Sequence, residues 1–136
     1  MNLSTGNNLV PLTSPVRCYD SRPGNPPLDV TKGVLSSGQT RTIDVTHNST
    51  GVPPTATAVL SNLTVADTVG SGFLAMFSAG VSWPGNSSIN WAGIGAVVAN
   101  NATSAFQASG PAANVSVLCG GGGSTDFLVD VLGYYV

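Results

Sequence analysis

Apolar residues in this chain come in short runs that alternate with polar ones, and each run is stopped by glycine, proline, asparagine or serine. A period of two puts alternate side chains on one face of an extended strand. No window carries the i, i+3, i+4, i+7 stripe that would bury one side of a helix. Seven segments read as strands: Val16–Asp20, Thr40–Val45, Ala58–Val65, Phe73–Ser78, Ala99–Phe106, Asn114–Cys119 and Phe127–Tyr134. Turn chemistry separates them, as in Pro23-Gly24-Asn25-Pro26-Pro27, Val52-Pro53-Pro54, Gly70-Ser71-Gly72 and Trp83-Pro84-Gly85-Asn86. The pattern predicts an all-β fold, an antiparallel β-sandwich (jelly-roll-like) of about 7–8 strands. Residues 1–15, with Pro11 and Pro15 and no alternation, read as an extended N-terminal arm before a single domain over 16–136.

Composition narrows what such a sandwich can do. Glutamate is absent, and Asp, Lys and Arg together make 7 % of the chain, against about 25 % in an ordinary soluble domain. Acid–base and nucleophilic catalysis need a titratable group held against a partner, so the composition argues against an enzyme and for a protein that works by contact. A net charge of −2 leaves no footprint for nucleic acid or an anionic membrane. No apolar run is long enough to span a bilayer, and the first residues lack the basic head and apolar core of a secretory signal. The Asn-x-Ser/Thr triplets at Asn2, Asn48, Asn62, Asn86, Asn101 and Asn114 are what chance supplies in so Asn-, Ser- and Thr-rich a chain. A surface with so few charges suits one that spends its life against other subunits.

The few groups with chemistry are each read against a plain structural role. Arg17, Asp20 and Arg22, with Asp130 near the other end, form the one concentration of charge. A ligand carboxylate or a metal is one use for it. The reading adopted is an internal ion-pair clasp between the first and last strands, a device for register more than for stability. Asp126 and Asp130 are four apart on a strand, hence roughly 13 Å apart, which does not cluster oxygens as a hard cation needs. No metal and no cofactor is expected. His47 stands alone in a turn, and Gly120-Gly121-Gly122-Gly123 lacks the Lys-Ser/Thr and helix of a phosphate loop, so it reads as a turn. Cys18 and Cys119 allow one disulfide, which would close a loop of about 100 residues and stabilise by up to roughly 4–5 kcal/mol, or they are two buried free thiols, the reading preferred. Trp83 and Trp91 are the large aromatics to watch, as interface or binding residues, with packing in the core or an interface preferred to a carbohydrate-binding face.

Several stretches resemble a known module. Arg17-Cys18-Tyr19-Asp20-Ser21-Arg22 is similar to an R-x-L-D-T-R opening, and Ala58–Val65 to a V-x-L-N-V-T-V strand. Gly72-Phe73-Leu74 through Gly80 resembles G-F-L-T-V-Y-P-A-G, and Ser87–Trp91 with Val98-Ala99-Asn100 resembles S-S-L-N-Y … V-A-N. Phe127–Tyr135 resembles H-L-I-V-D-V-V-G-Y-Y. In order, from residue 16 to the end, these match a β-rich surface module of actinobacteria and their phages. Cys18 departs from it, standing where an aliphatic residue is usual.

The resemblance implies an all-β, non-catalytic module, attached to surface proteins or built into virions. A copy starting at its own methionine without a signal fits a phage gene assembled in the host cytoplasm. The expectation is then a virion structural protein, a capsid decoration protein on the outer capsid surface. Its partners would be the major capsid protein and copies of itself, as a homotrimer, with no nucleic acid and no membrane. The alternative is a cell-wall glycan-binding surface module, or a tail or fibre component, in which carbohydrate is the partner.

Overall fold

The computed structural model describes residues 8–107 and 113–136. Among the described residues there are nine strands: β1 Leu9–Asp20, β2 Leu35–Ser36, β3 Thr40–Asp44, β4 Ala58–Val69, β5 Gly72–Ser78, β6 Ile89–Trp91, β7 Val98–Ala105, β8 Asn114–Gly120 and β9 Ser124–Tyr135. They form two antiparallel sheets. One runs β1-β9-β4-β7, with β2 also paired to β9, and the other runs β3-β8-β5-β6.

The pairs β1·β9, β3·β8, β4·β7 and β5·β6 are those of one long hairpin of the chain wrapped over two sheets. That is the jelly-roll arrangement, two Greek keys folded into a sandwich. All seven strands read from the sequence are here. The two extra ones, β2 and β6, have two and three residues, too few for alternation to show.

Alternation builds the core. In β9 the side chains of Phe127, Val129 and Val131 point inward and are fully buried, and in β8 those of Val115, Val117 and Cys119 meet them from the other sheet. In β4 the inward set is Val59, Ser61, Leu63 and Val65. Ser61 is tolerated there because its hydroxyl donates to the carbonyl of Ala102, 2.9 Å away on β7.

The expected boundary at residue 15 falls inside β1. Leu9, Val10 and Pro11 pair with Tyr135, Tyr134 and Gly133 of β9, so residues 9–15 belong to the sandwich, while residues 1–7 lie outside the described residues. Pro11 lacks a donor but stands on a sheet edge, where none is required. The register slips between Pro11 and Val16, which is why this stretch shows no alternation. Gly133 makes the close approach possible, since a Cβ there would lie 2.8 Å from the Val10 carbonyl oxygen.

The β8–β9 turn places Gly121 and Gly122 at φ +85° and +97°, which glycine adopts freely. Gly123 is needed for space instead. A Cβ there would press on the carbonyl oxygens of Val69 and Ser71, the latter at 2.6 Å. Gly123→Ala should therefore lower stability by about 1–3 kcal/mol in urea unfolding. Gly93→Ala, where a Cβ meets nothing within 4 Å, should stay within about 0.5 kcal/mol of the parent.

Candidate functional site

β1 brings Arg17 and Asp20 to one end of the sandwich, the turn after it supplies Arg22, and β9 supplies Asp130. Arg17 faces Asp130 because the two are cross-strand neighbours in the β1·β9 register. Its Nε donates to Oδ1 at 2.8 Å and its Nη2 to Oδ2 at 3.1 Å, a bidentate pair. Arg22 makes a second fork onto Asp20, at 3.0 and 2.8 Å, and its backbone N–H donates to the same carboxylate. Arg17 Nη1 lies 3.8 Å from Asp20, which joins the two pairs.

Asp20 is fully buried. Burial opposes its ionisation most strongly. The Arg22 hydrogen bonds and the charges of Arg22 and Arg17 outweigh that and hold its carboxyl below the ordinary value. Beside it, buried Ser21 donates to Asp126 Oδ1 at 2.7 Å and accepts the Phe127 N–H at 2.9 Å. The start of the chain is thus bonded through side chains to two residues of β9.

The other two cations were not singled out by sequence reasoning, and the structure engages them too. Lys32 Nζ donates to the carbonyls of Asp20, Asn25 and Pro27 at 2.6, 2.7 and 2.8 Å, holding the β1–β2 connection in place. Arg41 on β3 donates to Tyr19 Oη at 2.8 Å and to the Gly33 carbonyl at 2.7 Å, with its guanidinium 5.9 Å above the Phe127 ring. No sequence signal marks such partners, because backbone carbonyls are everywhere. All four cations are therefore bound to partners within the chain.

His47 meets Asp29 at 2.9 Å, beside a cleft of about 230 Å³ lined also by Cys18, Tyr19 and Asp44. A cysteine, a histidine and two acids around one cleft invite a catalytic or metal reading. Burial pushes the Cys18 thiol up to about 12, so it is a thiol and not a nucleophilic thiolate at neutral pH. Among the described residues no group of three His, Cys, Asp or Glu side chains is placed to hold a metal ion. Cys119 is also buried and pushed up to about 11, and the two cysteines are free.

The two tryptophans part company. Trp91 is buried in the core, packed where a Cβ on Gly72 would lie 2.6 Å from its ring. It cannot serve as an interface or binding aromatic, because Ile89 and Trp91 share the inward face of β6. Trp83 is 43 % exposed, stacks on Phe73 with centroids 5.6 Å apart, and has its indole N–H bonded to the Asn86 carbonyl.

What is left for contact is surface without a cation, with Asp67 exposed at the end of β4. Thr68 accepts the Ala96 N–H and donates to the Gly93 carbonyl, and its own carbonyl accepts the Gly95 N–H. This fixes the β6–β7 connection against the end of β4. Ile94 (82 % exposed) and Val97 (74 %) therefore stand out beside Val69 and Val98, forming an apolar rim at the start of β7. Sequence reasoning passed over these residues. The signal was there, in large apolar side chains within Gly93-Ile94-Gly95-Ala96-Val97, a stretch without the alternation that would bury them.

Two outcomes follow. Asp20→Asn takes the buried carboxylate away from Arg22 and its charge from beside Arg17, and should lower stability by about 2–4 kcal/mol at pH 7. Because the folded pKa of Asp20 lies below its unfolded value of 3.8, the carboxylate adds stability above about pH 4 that is lost as pH falls through the folded value. The acid limb of an unfolding-versus-pH series should be shallower in Asp20→Asn than in the parent. The second outcome concerns the thiols: a maleimide should leave the native protein unmodified and add two labels in denaturant, read by mass.

No family model matches this chain, and no curated protein or solved structure matches it.

Proposed function

We propose that this chain is a non-enzymatic structural protein of a phage virion, a capsid decoration subunit lying across neighbouring capsid proteins on the outer surface. The observation that carries the reading is the distribution of surface chemistry. The cations are bound inside the chain, while Ile94, Val97, Val69 and Val98 stand exposed on a rigid two-sheet frame. Apolar side chains with little charge around them are what the buried centre of a protein–protein interface needs. The motif resemblance and the jelly-roll frame, which viral capsid domains share, support the virion setting by analogy. Partners are the capsid protein and copies of the chain itself. Many copies each adding a modest interface sum to a strongly reinforced shell.

A second reading rests on Trp83. Its ring is fixed on Phe73 with the N–H already bonded, leaving an indole surface open to solvent, which is how a sugar-stacking platform is built. In that reading the chain binds cell-wall glycan.

Quantitative mass spectrometry of purified virions decides between them. A copy number within a few-fold of the major capsid protein is the expected result. A handful of copies per particle would overturn capsid decoration in favour of a tail or fibre site. Absence from particles, with retention on wall polysaccharide that Trp83→Ala abolishes, would establish the glycan reading.

A further inference from the structure

A β-sandwich has sheet edges, and an edge is a template for another strand unless something blocks it. Three of the four sides here are blocked. β1 carries Pro11, Pro15 and two register shifts, and the β2 that continues its side has two residues. β3 is five residues long and carries Arg41 and Asp44. β6 has three residues.

The fourth side, β7, is different. It runs Val98–Ala105 with no proline, no charge and an unbroken register against β4 from Ala58↔Ala105 to Val65↔Val98. It is a straight, neutral eight-residue edge, and the exposed apolar rim lies at its start.

The ladder fixes which groups face out. The Phe106 N–H donates to the Thr57 carbonyl, so residues 104, 102, 100 and 98 turn their backbone groups to β4, and 99, 101, 103 and 105 turn theirs outward. Two outward groups are met by neighbouring side chains: Asn100 Oδ1 accepts the Asn101 N–H at 3.1 Å, and Ser104 Oγ donates to the Ala105 carbonyl at 2.9 Å. Ala99 and Thr103 stand symmetrically about Asn101, with their outward N–H and C=O groups open.

We propose that β7 pairs antiparallel with β7 of a second copy, on a two-fold axis at Asn101. In that register Ala99 faces Thr103 of the other copy, Asn101 faces its counterpart, and Val97 faces Ala105. Every outward backbone group from 99 to 103 then lies opposite a complementary one, and the two five-stranded sheets become one. The apolar rim of each copy is carried onto the far end of the other's β7. An antiparallel pair of identical strands is self-complementary and closes as a dimer, in place of the trimer expected from the resemblance. The inference deepens the contact reading and rests on it, but not on where the assembly sits, so copy number in virions and the dimer test fail separately.

Sedimentation velocity over a concentration series tests it. The parent chain of 13.6 kDa should approach twice that mass, and Thr103→Pro should remain a monomer. Thr103 has its N–H on the outward side, so proline removes a dimer donor and leaves the β4 ladder intact. Should Thr103→Pro fail to fold, Asn101→Lys places like charges opposite each other on the axis and should give monomer, whereas Asn101→Lys mixed with Asn101→Asp should restore a heterodimer. A parent chain that stays monomeric at every concentration overturns the proposal, as does a dimer indifferent to Asn101→Lys.

Discussion

The first strand of this protein is held by the last, and the sandwich depends on that closure. β9 lies between β1 and β2 on one flank and β4 on the other, and its inward side chains Phe127, Val129 and Val131 are fully buried. Removing β1 would turn the central strand into an open edge. Loop closure over more than a hundred residues is entropically costly, and backbone pairing alone can slip. Here the Arg17–Asp130 fork, 113 residues apart in sequence, and the Ser21–Asp126 bond, 105 apart, each fit one register. A slip by one residue would turn both carboxylates to the opposite face.

That arrangement also shapes the outside. A chain with four cations and six anions has little charge to distribute, and the β1–β9 end together with the β1–β2 connection takes all the cations. Paired, partly buried charge specifies register at a desolvation cost. Apart from the exposed carboxylates of Asp29, Asp44 and Asp67, the rest of the surface is rich in hydroxyls, amides and exposed aliphatic side chains, which favour contact with other protein surfaces over solvent. One set of residues therefore fixes the fold, and by its absence elsewhere leaves β7 and its rim neutral.

Much of this was legible in the sequence. Seven strands showed because their alternation is local, and the clasp showed because Arg17, Asp20 and Arg22 crowd together in a chain with only ten charged residues. The early part of β1 did not, since Pro11 and Pro15 hide the period and its partner is at the far end of the chain. β2 and β6 were too short to leave a pattern. For Trp91 the sequence left core and interface packing open, and the structure puts it in the core, on the inward face it shares with Ile89. The roles of Lys32 and Arg41 were not legible, because their partners are backbone carbonyls placed by the tertiary fold. Strand order, likewise, is set by contacts between distant segments.

The proposed contact of this molecule runs through its β7 edge. Amide hydrogen exchange at several protein concentrations reads that edge residue by residue. The account predicts that the outward-facing amides of Ala99 and Thr103 become protected as concentration rises, while exposed amides of the β1–β2 connection do not change. Fast exchange at Ala99 and Thr103 at every concentration would contradict it.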